Sequence, residues 1–191
     1  MEIHKYEKLW FGAALVLIIM FIATVTYGAV GAGITMVGDE GGTVAPADLG
    51  DHERFGNIGV YESADADIDY DVNMIALHPQ FRPGTVEIPE GSTVKFYITA
   101  QDVIHSYDII GTNVNTMVIP GQIAEFKVEF DEPAEYGVLC SEYCGSLHHE
   151  MEGKLNVIAE DEWDDEMVDG VARETDDGEL VFEDWDEEGD A

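Results

Sequence analysis

At 191 residues, 46% of them hydrophobic, the chain is long enough for one medium domain with appendages and too apolar to be wholly disordered. Its 41 acidic residues stand against 8 basic ones, and a formal charge of -33 excludes nucleic acid as a partner, because phosphate would be repelled. Such a balance reads as salt adaptation, so a halophilic source is expected: at 1 M salt the Debye length falls to about 3 Å and self-repulsion is largely screened.

The N-terminal segment, residues 1–38, carries no charged residue from Leu9 to Gly38. About 20 apolar residues cross a bilayer, so a transmembrane helix is expected over about residues 9–35. Lys5 and Lys8 precede the run, and Asp39 and Glu40 follow it. The positive-inside rule then predicts a single-pass anchor in the cell membrane, its N-terminus cytoplasmic and the rest extracytoplasmic. The run is far longer than the apolar core of a signal peptide, so an uncleaved anchor is expected, although the small residues Gly28 to Gly33 would suit a peptidase.

Residues 39–68 are polar and rich in Gly and acid, and are expected to form a flexible tether. Asp65, Asp67 and Asp69 alternate like the start of a calcium loop, but Tyr70 and Ala76 stand where an EF-hand needs glycine and glutamate, so these acids are read as solvated.

From residue 69 to about 160 the pattern becomes β. Tyr70, Val72, Met74 and Ala76 alternate with polar residues. Over 92–99, Val94, Phe96 and Ile98 share one face, with Lys95, Tyr97 and Thr99 on the other. Further short apolar runs fall at 85–89, 103–110, 117–119, 124–130, 137–140 and 154–158, punctuated by Pro83-Gly84, Glu90-Gly91 and Pro120-Gly121. Many short strands at close spacing predict an all-β sandwich or barrel. The tail, residues 161–191, continues an acidic stretch: from Glu160 to Ala191, 17 of 32 residues are acidic and Arg173 alone is basic. A solvated, disordered tail is expected; a short acidic hairpin or helix docking on a partner is the alternative.

The densest chemistry lies in Cys140-Ser141-Glu142-Tyr143-Cys144-Gly145-Ser146-Leu147-His148-His149-Glu150-Met151, which holds the only two cysteines. Thiolate, imidazole and thioether select copper, less often zinc or iron, over hard cations. The flanking His and Met favour ligation over a disulfide. A mononuclear blue-copper site uses one Cys, so the second opens the possibility of two coppers bridged by thiolates. Each copper then needs an imidazole. His148 supplies one. Of His4, His52, His78, His105 and His149, the choice falls on His105, in a β segment that a sandwich can bring beside the ligand run; His78 and His149 read as surface or supporting residues.

That run, with Asp102-Val103-Ile104-His105-Ser106 before it, resembles the dinuclear CuA domain of cytochrome c oxidase subunit II. The similarity runs from about Tyr70 to Glu160 and includes Val86-Glu87-Ile88-Pro89-Glu90-Gly91, Gly111-Thr112-Asn113 and Pro133-Ala134-Glu135-Tyr136. With one membrane span it looks most like the ba-type subunit. The resemblance implies a cupredoxin-like Greek-key β-sandwich holding two copper ions. Cys140 and Cys144 would bridge both. His105 and Met151 would complete one copper, and His148 with the backbone carbonyl of Glu142 the other. It implies electron uptake from a soluble cytochrome c or small blue-copper protein, and delivery to the low-spin heme of a membrane subunit I, which reduces oxygen; this chain alone would not. The family often carries several aromatics before the first Val/Ile-Pro strand; here Phe81 and Tyr143 are the candidates for electron transfer, with ordinary packing as their other reading. Rival functions are the CuA subunit of a nitric-oxide reductase, a membrane-anchored mononuclear blue-copper carrier, and a copper carrier for site assembly. Nitrous-oxide reductase would need a propeller domain for which the chain has no room. The acidic tail is expected to be dispensable for copper loading.

Overall fold

The computed structural model describes residues 4–30, 41–164, 167–175 and 180–184. The chain forms two units, Met1–Thr35 and Met36–Ala191. The first contains helix α1, Lys5–Val30. Its stretch Lys5–Tyr27 has a mean hydropathy of 2.4 and is long and apolar enough to cross a membrane. Leu9, Trp10, Phe11, Ile18 and Phe21 are exposed around it, the pattern of a helix that is apolar on every side. Residues 31–35 of the expected helix lie outside the described residues.

The second unit is a two-sheet sandwich. Its strands are β1 (Gly59–Glu62), β2 (Tyr70–Leu77), β3 (Gln80–Arg82), β4 (Thr85–Pro89), β5 (Thr93–Ala100), β6 (His105–Ile109), β7 (Asn115–Val118), β8 (Ala124–Glu129), β9 (Ala134–Leu139), β10 (Glu152–Ile158), β11 (Gly170–Glu174) and β12 (Leu180–Asp184). One sheet runs β12-β11-β1-β2-β5-β8, with β3 also paired to β2; the other runs β4-β10-β9-β6-β7. The cupredoxin-like sandwich that the resemblance implies is the fold the chain adopts.

Strand alternation builds the core. Val72 pairs with Phe96 and Met74 with Ile98 across β2–β5, and Phe96 with Phe126 across β5–β8. These side chains face Val86, Ile88, Tyr107, Ile109, Val138, Leu155 and Val157 of the second sheet. Phe96 and Phe126 stack with centroids 4.9 Å apart.

Two expectations need correction. From residue 41 onward, the segment expected to be a tether is folded. Val44, Leu49 and Phe55 are buried with Ile75, Tyr97 and Ile123 on the outer face of the first sheet, and Gly42 accepts a backbone hydrogen bond from Ile123 at 3.1 Å. Residues 59–62 then form β1. The physical reason is that these apolar residues descend singly onto a sheet already in place, so their spacing carries no period. The tail, expected to be solvated, supplies β11, parallel to β1, and β12, antiparallel to β11. Trp163 packs edge-on against Tyr70 at 5.8 Å, and the Asp169 carboxylate accepts the Val60 N–H at 2.8 Å. Val168 and Ala172 are buried, which acidic neighbours had hidden. The tail residues 165–166, 176–179 and 185–191 lie outside the described residues.

Candidate metal centre

Strands β9 and β10 are antiparallel neighbours, with Leu139 opposite Glu152. The run 140–151 is therefore the loop that joins them, and its two ends lie side by side: the Cys140 N–H donates to the Met151 carbonyl at 3.3 Å. The loop turns back through two left-handed residues, Gly145 (φ 124°) and Leu147 (φ 62°), and a short 3-10 turn at His148–Glu150. Gly145 is suited to that backbone because it has no Cβ, and the place a Cβ would take lies 3.4 Å from the His78 ring. His105 opens β6, the strand beside β9, so topology alone carries it to the loop.

The predicted ligand side chains converge. The Cys140 Sγ lies 3.8 Å from His105 Nδ1, and the Cys144 Sγ lies 3.4 Å from His148 Nδ1 and 3.6 Å from Met151 Sδ. The potential donor atoms of His105, Cys140 and Cys144 all fall within 4.8 Å of one another. The Cys140 thiol also donates to the Glu142 carbonyl at 3.2 Å. Cys140, Cys144, Met151 and His105 are buried, and His148 is half-buried. Burial pushes the Cys144 thiol up to about 11, and the adjacent Cys140 adds to the shift. Two thiol sulfurs, a thioether and two imidazole nitrogens form a donor set suited to copper, and the thiol protons would leave on metal binding.

A second layer, which sequence reasoning missed, holds these groups. Asp102 accepts a hydrogen bond from His105 Nε2–H at 2.7 Å and from the backbone N–H groups of His78 and Val103 at 2.8 and 2.7 Å. Burial works to raise this carboxyl, and the bonds from His105, His78 and Val103 outweigh it and hold it below the usual carboxylate range. With Nε2 protonated, the lone pair of His105 sits on Nδ1, facing Cys140. The His78 ring contacts the Ser146 carbonyl. Asp102 stands three residues before His105, a spacing that could have flagged it.

The other candidates separate. Tyr143 is 80% exposed, its ring 5.7 Å from that of His148. Phe81 is 3% exposed and packs edge-on against Tyr107 in the core, so it offers a donor protein no surface. His149 is exposed beside Glu150. His52 lies in the 41–58 segment against Phe55, and His4 in the helical unit.

Comparison with known proteins follows the same lines. Residues 61–158 match the family described as cytochrome c oxidase subunit II, periplasmic domain. The chain is 32% identical over 168 residues to a cytochrome c oxidase subunit 2 of Thermus thermophilus, covering 81% of this chain and 93% of the relative. It is 37% identical over 91 residues to the protein of that name from Alkalihalophilus pseudofirmus, covering 47% of this chain and 26% of the relative. Among solved structures, a chain of a heme-copper terminal oxidase dimer matches with a TM-score of 0.60 and 30% identity, over 81% of this chain and all of the other.

Proposed function

The chain belongs to the cytochrome c oxidase subunit II family, and from that premise we propose that it carries a dinuclear CuA centre that receives electrons from a soluble donor and passes them to the heme of a membrane partner, subunit I. The observation that carries this reading is the convergence of the buried Cys140, Cys144, His105 and Met151 with the half-buried His148 in one cluster between β6 and the β9–β10 loop.

In this reading Cys140 and Cys144 would hold both metal ions, with His105 and Met151 as further ligands to one and His148 and the Glu142 carbonyl as further ligands to the other. When bound, the copper pair supplies a one-electron store whose charge is shared over two metals and two sulfurs, so little rearrangement accompanies transfer. The protein keeps the ligands still. Asp102 orients His105, the β9–β10 hairpin fixes Cys140 beside Met151, and core packing around Met151 excludes water. Tyr143 and Leu147 in the β9–β10 loop, and Val103 and Ile104 just before His105, are exposed apolar side chains suited to contact with a soluble cytochrome c or small blue-copper protein. Helix α1 anchors the domain on the outer face of the membrane, with the N-terminus in the cytoplasm.

Copper analysis and electron paramagnetic resonance on the purified chain test this. Two coppers per chain and a mixed-valence signal are expected, and His105→Ala is expected to abolish that signal. One copper per chain with a blue mononuclear spectrum, or a His105→Ala spectrum like that of the parent, would reject the assignment.

A further inference from the structure

Ser106 follows His105 on β6 and, by strand alternation, projects from the opposite face. It is 2% exposed. Its Oγ accepts the Ser141 N–H at 2.6 Å and the Glu142 N–H at 3.2 Å, and lies 2.8 Å from the Ser141 Oγ. A hydroxyl has two acceptor positions and one proton. The two backbone donors take the acceptor positions, so the Ser106 proton goes to the Ser141 Oγ, and the group is fully used.

The backbone after Cys140 is therefore wrapped around a single oxygen of the neighbouring strand. The residue whose N–H is pinned there, Glu142, is also the one whose carbonyl meets the Cys140 thiol at 3.2 Å. The same sulfur lies 3.8 Å from His105 Nδ1. Two consecutive residues of β6 thus bear on Cys140: His105 directly, and Ser106 through the loop backbone. We propose that Ser106 is a positioning residue that sets the approach of the Glu142 carbonyl to the metal centre, and through it the reduction potential. This rests on the copper reading above. A serine that merely satisfied buried backbone groups would affect stability and leave the electronic structure of the centre alone.

The test compares Ser106→Thr with Ser106→Val in the full-length, detergent-solubilised, copper-loaded chain. The two side chains share a shape and differ in the hydroxyl. The expected result is two coppers per chain in both, with the reduction potential and the copper hyperfine pattern of Val displaced from those of Thr, and Thr nearer the parent. Equal potentials and hyperfine patterns in the two variants would overturn the proposal while leaving the copper reading intact. A parent chain that shows no two-copper signal would instead sink the copper reading. If the Val variant takes up no copper, amide hydrogen exchange of the metal-free chains decides. Exchange at Ser141 and Glu142 about tenfold faster in Val than in Thr supports the pin, as loss of a buried hydrogen bond requires. Equal exchange overturns it.

Discussion

Asp102 offers its carboxylate to three donors, one of them the ring of His105. Asp102→Asn removes the charge that favours the Nε2–H tautomer. Copper affinity is expected to fall by about 10- to 100-fold, the usual cost of losing a group that orients a metal ligand, measured by competition with a chelator. A buried acid elsewhere serves the fold. Asp71 pairs with Arg54 at 2.9 Å, the two side chains being 3% and 11% exposed, and the guanidinium lies 3.6 Å from the centroid of the Tyr97 ring. Arg54→Met strands the buried carboxylate, and metal-free unfolding in urea is expected to show a loss of about 3–5 kcal/mol, with the copper spectrum unchanged once loaded. These residues show where sequence reasoning stops. The convergence of Cys140, Cys144, His148 and Met151 was legible because soft donors at close spacing have few other uses. His105 was chosen on the expectation of a second imidazole, and its ring lies 3.8 Å from the Cys140 sulfur. Ser106, Arg54 and Asp71 were not, because a polar residue in or near a strand reads as facing water until its buried partner is known.

Among the elements, β2 and β5 were legible from period-2 alternation, β8 from a short apolar run, and the β9–β10 loop from its soft donor residues. What stayed hidden was the second layer over the first sheet. Tyr97 and Thr99 fall on the polar phase of β5 yet are buried, because the 41–58 segment and Gln122 cover that face; Thr99 Oγ1 donates to the Gln122 carbonyl at 2.8 Å. The C-terminal strands were masked by acid in the same way. Ending the chain after Glu160 removes β11, β12, Trp163, Val168 and Asp169 together. Copper loading is expected to survive, since the proposed ligands sit on β6 and the β9–β10 loop. Stability is expected to drop by about 2–4 kcal/mol for the apolar side chains lost and exposed, seen as a lower midpoint in thermal unfolding. A midpoint unchanged by the cut would mean that the β1–β11 pairing contributes nothing.

For the molecule as a whole, a formal charge of -33 sets the response to salt and pH. Raising potassium chloride from about 0.1 to 1 M shortens the Debye length from about 10 to 3 Å, and the urea midpoint of the metal-free chain is expected to rise as like charges stop repelling. The buried Arg54–Asp71 pair is shielded from that screening, so the Arg54→Met deficit should persist at both salt levels. At the alkaline end, burial first and then the charge of Asp71 raise Tyr97 above its ordinary 10.0. Lys95 is raised above 10.5: burial opposes the shift, and Tyr97 and Glu125 outweigh it. Both groups hold their protons more tightly folded than unfolded. Their contribution is therefore complete below about pH 10 and is lost as pH climbs through the raised values, so unfolding midpoints should hold up to that point and then decline. The cover over the first sheet also governs how the chain could be divided. A scissile point chosen by eye, at the onset of clear alternation near Tyr70, would strip Val44, Leu49 and Phe55 from Ile75, Tyr97 and Ile123 and leave a fragment with a sticky flank, prone to clump. A water-soluble version freed of its lipid-seeking helix must keep the unpromising glycine- and acid-rich stretch from residue 41 onward.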